Sequence, residues 1–155
     1  MAVNTKAVKG RRSVRYESYG ELLADAQQLA ASNVKTLGNW SLGQILKHVA
    51  DSIDTSVDGA GFSLPAPVRW LMTILMKNKF LYRELPPGFN SSKQFIPGET
   101  SVEEGIRALR QAIDRQSSEA HRARHPAFGK ISKDEWTAFN LRHAEMHMSF
   151  VKATS

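Results

Sequence analysis

The chain has 155 residues, of which 41% are hydrophobic, with no cysteine and a formal net charge of +6. That length and apolar content suit one folded domain with a real core and argue against wholesale disorder. Without cysteine there are no disulfides, no thiolate metal sites and no cysteine nucleophile, so a metal site must use His, Asp, Glu or backbone oxygen.

Residues 1–16 carry Lys6, Lys9, Arg11, Arg12 and Arg15 and no acid. Most of the excess charge therefore lies in a basic N-terminal tail, mobile or packed on an edge. Residues 17–155 read as one helical domain. A nucleic-acid binder usually shows its basic face on the folded body, so nucleic acid is a disfavoured partner. A polar stretch rather than an apolar run follows the paired arginines Arg11 and Arg12, so no secretory segment is expected.

The first helix is predicted from Ser18 to about Ala31, with Leu22, Leu23, Ala26 and Leu29 at helical spacing. "SNVKTLGN" follows as a loop. The second helix opens at Ser41, with Gln44 three residues on as a capping box. Its apolar seam is Leu46, Val49 and Ile53, and Gly59 is its stop. "APVRWLMTILMKNKFLYREL" suggests a third helix with an apolar face of Val68, Leu71, Ile74, Leu75 and Phe80. Its apolar run is too short to span a bilayer and is interrupted by Arg69, so no transmembrane segment is expected and the expected location is cytoplasmic. Contact of this basic, apolar helix with an anionic membrane surface is a disfavoured alternative to packing on the bundle or across a dimer.

"PPGFNSSKQFIPGET" is a turn-rich loop. Ser101 and Glu104 cap a fourth helix carrying Val102, Ile106, Leu109 and Ile113, and Ser132 and Glu135 open a last helix from Lys133 to about Lys152. Four main helices, or five with the third, and no convincing strand give an all-α bundle.

The last helix carries the pattern that points to function. Helical residues advance about 100° each, so, with His143 at zero, Trp136, Phe139, His147 and Phe150 all fall within about 40° of it. Two histidines thus stand in an aromatic stripe, one turn apart, a separation at which both can ligate one ion. Arg142, Glu145, Ser149 and Lys152 fall outside it, away from the stripe. That position removes Glu145 as a general base for the site. On the second helix, His48 lies on the edge of the apolar seam, beside Gln44, Asp51 and Ser52. Asp51 is one turn on and is the expected acceptor that orients His48, with Ser52 or Gln44 as alternatives. Asp54 and Asp58 are the other acids within range, more simply read as solvated helix charges. His121 and His125, in "EAHRARHP" beside Arg122 and Arg124, are expected to be solvated. Spacing alone leaves open whether His143 and His147 hold a metal or are core histidines satisfied by neighbours.

"NWSLGQILKHVADSI" and "HPAFGKISKDEWTAFNLRHAEMHMSFV" together resemble the DinB-like superfamily, in a branch with this W-S-L-G-Q-I-L-x-H opening and this L-R-H-x-x-x-H ending. The resemblance runs over residues 11–152 and is least specific between 60 and 100. It implies a DinB-like four-helix bundle, with an additional helical and loop insertion around 60–98 that could cap the site. It also implies a divalent ion held by His48, His143 and His147, with zinc or nickel as the expected metal, and a homodimer. Some members are transferases that use a low-molecular-weight thiol. On this reading the chain is a metal-binding bundle acting on a small molecule, with thiol transfer ahead of metal-dependent hydrolysis and of metal or ligand binding without turnover.

Overall fold

The computed structural model describes residues 1–89 and 93–154. The expected loop's centre, residues 90–92, and the C-terminal residue lie outside the described residues. Among the described residues the helices are α1 (Tyr19–Ala30), α2 (Leu42–Asp58), α3 (Ala66–Tyr82), α4 (Val102–Ser118) and α5 (Lys133–Met148). Ser18, Ser41, Ser101 and Ser132 each cap a helix by accepting from a backbone amide three residues on. At the last three, a Gln or Glu returns the bond to the cap amide, so the capping boxes form as expected. No described helix is long and apolar enough to cross a membrane.

The protein is predominantly helical, with one correction. Two short strands, β1 (Val34–Thr36) and β2 (Val151–Ala153), pair antiparallel, with Lys35 opposite Lys152. The last helix therefore ends at Met148, before the expected Lys152. The Phe150 amide turns back to the His147 carbonyl at 3.2 Å, and the chain then leaves as a strand. Val34, Thr36 and Val151 are β-branched and suit that pairing.

The main core lies between α1, α2, α4 and α5, with Leu22, Leu46, Val49, Ile53, Leu109 and Met148 sealed from solvent. Gly43 of α2 and Gly105 of α4 let these helices meet almost backbone to backbone. A Cβ on Gly105 would lie 2.8 Å from the Gly43 carbonyl oxygen and 2.9 Å from the Leu46 Cβ.

The side of α5 turned away from the aromatic stripe is buried as well, because the N-terminal segment covers it. Arg142, Glu145 and Ser149 are each only 4% exposed. The Arg12 amide donates to the Ser149 carbonyl at 2.8 Å, and the Arg12 guanidinium grips Asp25 with two bonds of 2.9 and 2.7 Å. Tyr16 is buried. Its amide donates to Glu145 Oε1 at 2.7 Å, and Arg142 donates to the same oxygen at 2.6 Å and to the Tyr16 carbonyl.

The orientation of α3 also differs from expectation. Val68, Leu71, Ile74 and Leu75 are exposed, while Met72, Met76 and Phe80 pack against Phe128, Ile131 and Trp136. Apolar residues surround most of this helix, so spacing alone does not select the inner face.

Candidate metal centre

The site is built from the middle of α2 and the last two turns of α5. His48 is 4% exposed. A nitrogen from each of His48, His143 and His147 can be chosen so that all three lie within 4.8 Å of one another. The Nε2 atoms of His143 and His147 are 3.1 Å apart. Two imidazole nitrogens on one tetrahedral ion, at about 2.0–2.1 Å from it, stand roughly 3.3 Å apart. The sequence expectation that these three residues converge is thus met in space.

The ring of His48 is held in a defined tautomer. Its Nδ1 lies 2.7 Å from the Phe95 carbonyl, which can only accept, so Nδ1 carries the proton and Nε2 offers its lone pair. That Nε2 is buried with no hydrogen-bond partner among the described residues. An orphaned, lone-pair-bearing nitrogen facing two further imidazoles is a donor set that fits a divalent ion. His143 Nδ1 is buried and likewise lacks a partner among the described residues.

Aromatic rings fix the other two imidazoles. Phe139 lies parallel to His143, with centroids 6.1 Å apart. Trp40 stacks on His147 at 5.5 Å and leans on His48 at 4.8 Å. Trp40 was missed in the sequence. It precedes the N-cap Ser41 and faces Ile45 four positions into the helix in the spacing of a hydrophobic staple, and that signal could have found it.

The expected orienting acid is elsewhere. Asp51 is half-buried and paired with Lys47 one turn back on α2, and the Phe95 carbonyl takes the role proposed for it. Gln44 serves the Ser41 capping box and donates to the Pro97 carbonyl at 3.2 Å. Two turns of α2 therefore hold residues 95–97 over the site, inside the segment the sequence left least defined. Asp54 and Asp58 both pair with Arg115 of α4. His121 is exposed, as expected. His125 is not: it is 5% exposed and packed among aromatic rings.

Burial keeps these rings neutral, as ligation requires. It pushes the pKa of His143 down to about 3 and of His125 to about 4. It lowers His147 well below the ordinary value, and lowers His48 against the opposing Phe95 bond. Unfolded imidazoles take up protons below about pH 6.5, whereas His125, His143 and His147 in the fold do not until far lower, and His48 is shifted in the same direction. The stability they confer is complete above that pH and is lost as pH falls. Metal-free protein should therefore lose stability between about pH 6.5 and 5, at up to roughly 1.4 kcal/mol per pH unit for each histidine. Urea melts across that window check this, and a flat profile would contradict the burial of neutral rings.

Two cavities flank the site. One of about 280 Å³ is lined by all three histidines, His125, Ser52, Thr55 and a set of apolar residues including Phe80, Phe89 and Phe95. Another of about 370 Å³ is lined by Trp40, Ile45, Ile96, Phe150 and His147. Phe89, Met146 and His147 border both. Among the described residues, no Asp, Glu, Lys or Arg lines either one.

Residues 8–154 match a family described as a protein of unknown function, DUF1569. No curated protein and no solved structure matches the chain.

Proposed function

We propose a function for this chain, which belongs to the DUF1569 family of proteins of unknown function, from its three-histidine site: one divalent ion, zinc or nickel, held by His48, His143 and His147 in an enzyme that transfers a low-molecular-weight thiol. The observation that carries the reading is the convergence of three neutral imidazoles, one with its free nitrogen buried and unpartnered, at the junction of two cavities. The resemblance of both histidine segments to the DinB-like superfamily supports it, and extends it to a DinB-like bundle and a homodimer.

The divalent ion, when bound, supplies an electrophilic centre that lowers the pKa of a thiol or water at its open position. The chain's own residues perform the remaining work. The Phe95 carbonyl orients His48, while Trp40 and Phe139 hold the other rings. Because all three ligands are neutral, the site favours an anion, and the absence of lining acids among the described residues leaves that preference uncompensated. Among the described residues the cavity lining offers no carboxylate, and no base stands ready to activate the Ser52 hydroxyl, so a thiol arriving from solution is the nucleophile in this reading. Two adjoining cavities suit two reactants, a thiol and an electrophile. Phe80, Phe89 and Phe95 give one of these cavities a largely apolar wall, which suits an apolar electrophile.

The test is calorimetric titration of zinc- or nickel-loaded protein with small thiols, followed by assay with electrophiles. Thiol binding should be lost with His143→Ala. Binding that is absent, or that survives loss of the three histidines, rejects the transferase reading. Histidine-dependent ester cleavage would place hydrolysis first, and thiol binding without turnover would leave a binding protein.

A further inference from the structure

His125 does nothing in the metal centre, yet the fold constrains it closely. Its backbone and that of Gly129 exchange two hydrogen bonds, of 2.7 and 2.8 Å, closing the turn His125–Gly129. Gly129 has φ +71°, a conformation that favours glycine. Inside the turn, the amides of Ala127 and Phe128 both donate to His125 Nδ1, at 3.1 and 3.2 Å. Nδ1 is therefore an acceptor, and the proton of the neutral ring sits on Nε2.

Packing then fixes the plane of the ring. Phe128 stacks on it at 4.5 Å, Phe139 meets it edge-on at 4.6 Å, and Trp136 leans on it at 4.9 Å. Phe139 also lies against His143, so one aromatic residue separates His125 from the triad. The ring borders the 280 Å³ cavity shared with the three histidines. Both of the ring's hydrogen bonds to described residues fall on Nδ1, and none to a described residue is made by its Nε2–H. The Thr55 hydroxyl, another polar group there, is already donating to the Ser52 carbonyl at 2.6 Å. A rigid donor in an apolar, uncharged chamber selects for an oxygen acceptor on an otherwise apolar molecule, since burying the donor unpaired is costly.

We propose that His125 is a positioning residue whose Nε2–H anchors the carbonyl oxygen of an apolar, ring-sized small molecule in the cavity beside the triad. This rests on the reading of that cavity as the substrate site, but not on the presence of a metal.

The probes are acetophenone and its isostere α-methylstyrene, in which a methylene replaces the carbonyl oxygen. Both are titrated into metal-free and zinc-loaded wild-type protein. The ketone should bind more tightly by roughly 2- to 12-fold, the range of one neutral hydrogen bond. The preference should persist without metal, which separates this proposal from the metal-dependent reading. In His125→Phe, which keeps an aromatic ring and removes the donor, the preference should fall to about one while zinc binding is retained. Nitrogen-15 NMR of wild-type protein provides a readout that needs no variant. His125 should show the Nε2–H tautomer, and its proton signal should move with the ketone and not with the isostere. Equal affinity for the two probes, the opposite tautomer, or an unshifted signal would overturn the proposal.

Discussion

Replacing His143 with alanine should abolish binding of a divalent ion, the largest effect expected of any single substitution in this chain. His143 contributes the nitrogen 3.1 Å from that of His147, and its removal leaves two imidazoles from different helices. Loss of a hydrogen bond that merely supports a ligand costs about 10- to 100-fold in metal affinity. Loss of the ligand itself should cost more, taking binding below the range of a micromolar titration. His121→Ala should leave affinity unchanged, because that side chain is exposed and outside the cluster. Competition calorimetry with a chelator measures both. Unaltered affinity in His143→Ala would remove this residue from the site.

The second large effect concerns stability. Glu145→Ala should destabilise the fold by about 3–5 kcal/mol, because it leaves the Arg142 guanidinium and the Tyr16 amide buried without their acceptor. For a chain of this size that corresponds to a melting point lower by roughly 6–20 °C. The exposed pair of Arg15 and Glu17 provides the contrast: Glu17→Ala should cost under about 1 kcal/mol. Arg142→Met combined with Glu145→Leu should recover part of the loss, since no lone charge remains buried. Guanidinium melts decide it, and a Glu145→Ala variant within about 1 kcal/mol of the parent would show that the N-terminal segment does not seal this face.

Local signals carried much of the fold. Serine caps at Ser41, Ser101 and Ser132 placed the starts of α2, α4 and α5, and the seam Leu46, Val49 and Ile53 named the core face of α2 correctly. The inward placement of His48, His143 and His147 was legible for the same reason, since angular position on a helix follows from residue number, while their grouping into one site came from the resemblance. What was hidden depends on contacts distant in sequence. Glu145 and Arg142 were placed away from the stripe with no sign of burial, because residues 12–16 cover them from 126 or more positions away. The acceptor for His48 is a main-chain carbonyl 47 residues on, which no side-chain pattern reveals. α3 offered apolar residues on several sides, so its inner face was misassigned apart from Phe80. His125 was read from its arginine neighbours in sequence, whereas its environment is set by Phe128, Trp136 and Phe139 in space.

The most direct measurement is anomalous diffraction at the metal edges from crystals of protein purified without an affinity tag. The account gives one strong peak per chain, about 2.0–2.1 Å from a nitrogen of each of His48, His143 and His147. A map with no peak among the three rings after soaking in zinc and nickel, or a peak only at His121, would contradict it.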